Sequence, residues 1–212
     1  MFIELVDSLR CVNAHEDTWL VAAVTRMDGR HVAEGSLGCP VCRRTYEVRE
    51  GVAWFTGSPA REAGLTLPAP ASDERTMRLA ALLGLAEPGG IVALGGSWSD
   101  CSTGIAERGV AHVVVVNAAA PSDAPQEVSS IVVEDRLPFA PGSVRAIALD
   151  ARLATVLPSA AHALRSRGRL VGPATATMPN DVTELARDEQ DWVAERAVVA
   201  SQPVALQLRP RR

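Results

Sequence analysis

The sequence predicts an α/β fold built on a parallel sheet and preceded by a small β-rich metal module. Three observations carry that expectation. Past residue 90, short β-rich runs alternate with helical patterns at spacings that leave room for crossovers. One of these runs, Val113-Val114-Val115-Val116, is continuously apolar, as strands buried on both faces are. Residues 1–56, in turn, hold three of the four cysteines at metal-ligand spacing.

A chain of 212 residues has room for one ordinary domain plus a small module. Its 47% hydrophobic and 22% charged residues allow a sizeable core and do not describe a disordered chain. All 21 basic residues are arginine, and the net charge of −4 offers no broad basic field for phosphates. Direct nucleic-acid binding is therefore not expected, and the basic stretch from Leu208 to Arg212 reads as a solvated tail. Glu4 and Asp7 interrupt the first apolar stretch, which lacks the features of a signal peptide. No apolar run approaches the roughly 20 residues of a membrane helix. The expectation is a cytoplasmic protein with no membrane attachment, and metal-spaced cysteines suit that reducing compartment.

In the first module Cys39-Pro-Val-Cys42 forms a tight turn that lets two thiolates converge on one ion, and Cys11 and His15 lie close enough together to approach it from a second loop. Zn²⁺ suits such a mixed sulfur and nitrogen set because it accepts tetrahedral geometry without redox chemistry. His15 is the least certain of the four by residue type, since Glu16 and Asp17 offer alternative donors. Thr18 to Met27 is β-rich and runs into Asp28-Gly29, so it reads as one arm of a hairpin. A module this small buries little apolar surface, and four protein ligands leave no open position, so the metal would be structural rather than catalytic.

Residues 57–72 are rich in Pro and Gly and read as a linker to a second domain over 73–212. Ser72 or Asp73 would cap a helix carrying Leu79, Leu82 and Leu83 and ending at Gly84. Strands are expected at Ile91–Leu94, His112–Val116, Ile131–Val133, Ala146–Leu149 and Arg169–Val171. A closing antiparallel hairpin is expected from Trp192–Val199 and Val204–Leu208. The turn Leu94-Gly95-Gly96-Ser97-Trp98-Ser99-Asp100 follows the first of these strands, where glycines permit close ligand approach in a doubly wound sheet. A dinucleotide fingerprint would need a third glycine at the right spacing, which is absent. His112 in a strand, His162 in an apolar helical run and Cys101 read as surface or core residues, and no catalytic residue is assigned.

Two resemblances add to this. Leu5-Val-Asp-Ser-Leu-Arg-Cys11 and Cys39-x-x-Cys42-x-x-x-Tyr46-x-Val48-x-x-Gly51-Val52-x-x-Phe55 make the first module similar to the zinc-ribbon activator subunits of tRNA, rRNA and translation-factor methyltransferases. Val12 stands where that family has proline and Ala14 where it has its second cysteine, so His15 takes over one position later. Leu82 to Gly96, Leu137 to Ser143 and Ala163 to Val171 make the second domain resemble the class I S-adenosylmethionine-dependent methyltransferases, in the family's order and at roughly its spacing. The resemblance implies that Gly95, Gly96, Ser97, Asn117, Glu134 and Asp135 face an S-adenosylmethionine site. It is a weakened site. Ala93 replaces the usual acid of the first strand, Ser97 a loop glycine, Asn117 the ribose-clasping acid, and Arg145 an Asp, while Trp98 stands beside the methionine pocket. The expected function is a non-catalytic, methyltransferase-like binding or scaffolding subunit with a structural zinc. Its partner would be a protein, another methyltransferase or a component of translation. The alternative is an active S-adenosylmethionine-dependent methyltransferase acting on RNA or on a translation-related protein.

Overall fold

The computed structural model describes residues 1–56, 65–109, 112–120 and 127–198. Among the described residues the frame is one continuous sheet of eleven strands. The first four, β1 (Val21–Asp28), β2 (His31–Gly38), β3 (Thr45–Arg49) and β4 (Val52–Phe55), form an antiparallel meander. Its first turn is made at Gly29, whose φ of +57° suits glycine. The arm expected over Thr18–Met27 is thus β1.

The second part contains β5 (Ile91–Gly95), β6 (His112–Val116), β7 (Val128–Val133), β8 (Val144–Ala148) and β9 (Leu164–Pro173), all parallel. β11 (Asp191–Arg196) then inserts antiparallel between β9 and the edge strand β10 (Val182–Arg187). Counted from β5, the strand order is 3-2-1-4-5-7-6 with only the seventh strand reversed. This is the doubly wound order extended by a hairpin, and it is the class I methyltransferase arrangement that the sequence resemblance implies.

The strand expected from Trp192 is present as β11, and it forms a hairpin with β10 upstream of it. Trp192 lies in the second arm of that hairpin, and Val204–Leu208 falls outside the described residues. The turn is made by Asp188, whose carboxylate accepts from the N–H groups of Gln190 and Asp191 at 2.8 Å. β10 escaped the sequence reading because only Val182 of its six residues is buried, which leaves no apolar alternation to see.

Helix α1 (Asp73–Leu82) starts where expected: the Ser72 hydroxyl accepts from the Arg75 N–H at 3.3 Å, with Asp73 and Glu74 in the first turn. Arg169 caps its other end by donating to the Ala81 and Leu82 carbonyls at 3.1 Å each. α1 and α2 (Ser102–Glu107) cover one face of the sheet, where Leu79, Leu83, Val92, Leu94, Ile105 and Val115 make one cluster. On the opposite face α3 (Leu157–Ala163) covers β8 and β9, but the connection from β7 to β8 contains no helix.

The N-terminal segment fills that gap. A 3-10 turn at Ile3–Ser8 leads to Leu9, which bridges Phe139, while the Arg10 N–H donates to the Pro138 carbonyl at 2.7 Å. Leu5 and Leu9 join a single buried cluster containing Tyr46 and Phe55 of the meander and Val114, Ile131, Val133 and Ile147 of the parallel sheet. The join between the two parts is β4 against β7, which run parallel from Val52–Ser130 to Phe55–Val133. Both sheet and core are therefore continuous across the linker expected at residues 57–72.

Candidate metal centre and cofactor cradle

Cys11, His15, Cys39 and Cys42 come together at one end of the meander, with their ligand atoms all within 4.8 Å of one another. The knuckle forms because the Cys39 N–H donates to the Arg44 carbonyl and the Arg43 N–H to the Cys39 carbonyl, with Arg43 at φ +61°. Cys11 Sγ lies 3.6 Å from Cys42 Sγ, and Cys39 Sγ lies 3.4 Å from His15 Nε2. Zinc–sulfur and zinc–nitrogen bonds of ~2.3 and ~2.05 Å give tetrahedral edges of about 3.8 Å between sulfurs and about 3.6 Å between sulfur and nitrogen. The observed separations match those edges, whereas a disulfide would need about 2.05 Å.

The surroundings prepare the same donor set. His15 Nδ1 is 2.6 Å from the Glu16 carbonyl, which fixes the proton on Nδ1 and turns the lone pair of Nε2 toward the sulfurs. The Asn13 amide donates to Cys42 Sγ at 3.4 Å, and Tyr46 Oη sits 3.1 Å from Cys11 Sγ. The Arg44 backbone N–H, first among several donors, lowers the Cys42 thiol to about 6. Burial raises that of Cys11. Glu16 faces His15 through its backbone carbonyl, and the fourth donor atom gathered with the three sulfurs is that of His15. This Cys₃His cluster can hold a metal ion.

The expected cofactor residues lie along one edge. Gly95 ends β5, Gly96 and Ser97 open the 3-10 turn after it, Asn117 follows β6, and Glu134 and Asp135 follow β7, at the carboxyl ends of three neighbouring parallel strands. Thr66 and Ala71 cross this edge, with their backbones bonded to Ala119 and Asp100. Two of the expected contacts are engaged within the chain. Asn117, at φ +58°, donates from its amide nitrogen to the Val133 carbonyl at 3.1 Å, and its amide oxygen accepts from the Val133 N–H at 2.8 Å. The side chain therefore ties β6 to β7. Glu134 and Asp135 are exposed beyond that tie.

At the glycine turn the occupant is Asp150, which the sequence reading passed over. Its Oδ2 accepts from the Ser97 N–H at 2.8 Å, and Arg152 donates to the same carboxylate from its backbone and guanidinium at 2.8 to 3.0 Å. Burial would raise its pKa, but the Arg152 and Ser97 hydrogen bonds prevail and hold it below the usual carboxylate range. Gly96 has φ +68°, and a Cβ there would lie 2.0 Å from the Asp150 carboxyl carbon; one on Gly95 would lie 2.3 Å from Leu153 Cδ1. One signal in the sequence pointed to Asp150: it is the acid just past the strand Ala146–Leu149, on the edge where ligands of such sheets bind.

Trp98 is not in this space. Its indole is 6% exposed and packs in the cluster shared with α1 and α2, beneath the Arg75 guanidinium. Arg145 is also buried, its guanidinium donating to the carbonyls of Gly84, Glu87 and Gly89 and so clamping the turn before β5. The S-adenosylmethionine cradle implied by the resemblance does not fit the conformation described here, because the loop amide and the Asn117 amide both serve the chain itself.

No protein-family model matches the sequence, and no curated protein matches it. Among solved structures the chain is similar to the antibiotic-resistance methyltransferase Kmr, with 13% identity, 64% of this chain and 99% of that one covered, and a TM-score of 0.40. It is also similar to the 1,6-didemethyltoxoflavin-N1-methyltransferase of Burkholderia thailandensis, with 14% identity, coverage of 59% and 80%, and a TM-score of 0.44. A third is the geranyl diphosphate C-methyltransferase of Streptomyces coelicolor A3(2), with 16% identity, coverage of 55% and 60%, and a TM-score of 0.40. Among the described residues no helix is long and apolar enough to cross a membrane.

Proposed function

We propose that this chain is a non-catalytic, methyltransferase-like binding subunit whose N-terminal zinc ribbon serves its own neighbouring domain. The observation that carries the proposal is the Asp150 carboxylate seated on the Ser97 amide and against Gly96, the position where a cofactor-binding loop keeps its backbone free. Methyl transfer depends on holding the sulfonium in line with its acceptor, and a cradle that is already filled cannot do so. Asn117 strengthens the case, since its amide is committed to Val133 and carries no charge with which to clasp a ribose.

The metal in this proposal is zinc, supported by the separations among Cys11, His15, Cys39 and Cys42 and by the Glu16 carbonyl that orients the His15 ring. It supplies folding energy to a meander too small to stand alone. The ribbon acts within the chain, because the edge of β4 is already paired with β7. Function then comes through a protein partner, for which the exposed Trp19 and Val21 at the free side of the ribbon offer apolar surface.

Calorimetric titration of the native protein with S-adenosylmethionine and S-adenosylhomocysteine tests the proposal. No heat of binding at millimolar ligand is expected, and micromolar binding of either compound would refute it. Metal analysis of the same preparation should find one zinc per chain.

A further inference from the structure

We propose that Asp150 is an internal stand-in for a ligand carboxylate, so that the turn after β5 keeps a working amino-acid-carboxylate subsite that the chain occupies itself. This rests on the reading of the chain as non-catalytic and adds what keeps the site closed. Two consecutive glycines are needed here for close approach, and both are used by the segment following β8. Leu153 comes against Gly95 and the Asp150 carboxylate against Gly96, each nearer than any Cβ would allow.

The bonding also has the pattern of carboxylate recognition. One oxygen accepts from the Ser97 backbone N–H and from the Arg152 side chain, and the other accepts from the Arg152 backbone N–H. The Asp150 side chain is 19% exposed and that of Arg152 is 70% exposed, so the arginine covers the carboxylate from the solvent side. Removing the carboxyl group would leave an amide and a guanidinium aimed at one small space, a donor pair suited to the α-carboxylate of an amino acid. The nucleoside end of such a ligand would gain nothing, because Asn117 remains tied to Val133.

The test compares the native chain with Asp150→Ala and Asp150→Asn, using S-adenosylhomocysteine and 5′-methylthioadenosine as probes in calorimetry. The second probe has the same nucleoside without the amino acid. Asp150→Ala should give a measurable heat with S-adenosylhomocysteine, with an affinity at least about tenfold beyond the millimolar limit at which the native chain shows none, the worth of one charge-assisted hydrogen bond. Asp150→Asn should gain less, since its amide oxygen still fills the space. Neither variant should gain affinity for 5′-methylthioadenosine.

A folded Asp150→Ala protein that, like the native chain, gives no heat with S-adenosylhomocysteine at millimolar ligand would overturn the proposal. So would an equal gain for both probes, which would show that space alone had been opened. If Asp150→Ala fails to fold, Asp150→Asn decides, and an affinity equal to native then overturns it. Tight binding by the native chain would instead strike the non-catalytic reading, while the ratio of variant to native affinity still reports on Asp150.

Discussion

Replacing Cys39 by Ser should unfold the whole chain rather than the meander alone. The substitution removes one of four converging donors, and structural zinc contributes about 10–16 kcal/mol in small modules, as much as a typical domain's entire net stability. The loss would be transmitted through the shared core. Leu5, Leu9, Phe55, Ile131 and Val133 are all at most 3% exposed where the meander meets the parallel sheet. At roughly 2 kcal/mol for each side chain, uncovering these five costs about 10 kcal/mol. With β4 detached, β7 would also present an unpaired apolar edge. Scanning calorimetry of the native protein should therefore show one transition, moved down together in all its parts by a strong chelator and missing in Cys39→Ser. Two transitions would refute the reasoning, if the lower one responded to chelator and the upper one did not.

Three further outcomes are expected. Leu9→Ala, at a position with no exposure, should cost about 3 kcal/mol in chemical denaturation without changing metal content. Burial lowers the His112 pKa to about 4 in the folded protein, so the unfolded chain takes up its proton first as pH falls. The His112 contribution to stability should be constant above about pH 6.5 and decline by up to about 3 kcal/mol between there and pH 4, so the loss over that window should be smaller in His112→Gln. Gly96→Ala should destabilise by at least about 2 kcal/mol through its clash with Asp150 and its positive φ, and Asp150→Ala in the same chain should relieve part of that loss.

The parallel strands could be read from the sequence because both their faces are buried, as the run Val113 to Val116 shows. The metal ligands were legible because thiolate spacing is a local property: Cys39 and Cys42 share one turn. The pairing of β4 with β7 was not, since Val52–Phe55 and Val128–Val133 meet across more than seventy residues of chain and β4 reads like any ribbon strand. Nor was the role of Leu5 and Leu9 as cover for β6 and β7, which only the missing β7 to β8 helix reveals. The glycine turn misled in an instructive way. Gly95 and Gly96 do mark a close approach, but sequence cannot say whether the approaching group is a ligand or Asp150.

The join at β4 also sets the reach of the molecule. With about 4.8 Å between neighbouring strands, ten steps separate the outer strands β1 and β10 of the described sheet by about 48 Å measured along its surface. A right-handed twist of roughly 20–25° per step turns one flank by more than 200° relative to the other. Two proteins adding strands at opposite ends would be joined through one hydrogen-bonded sheet and would face different ways.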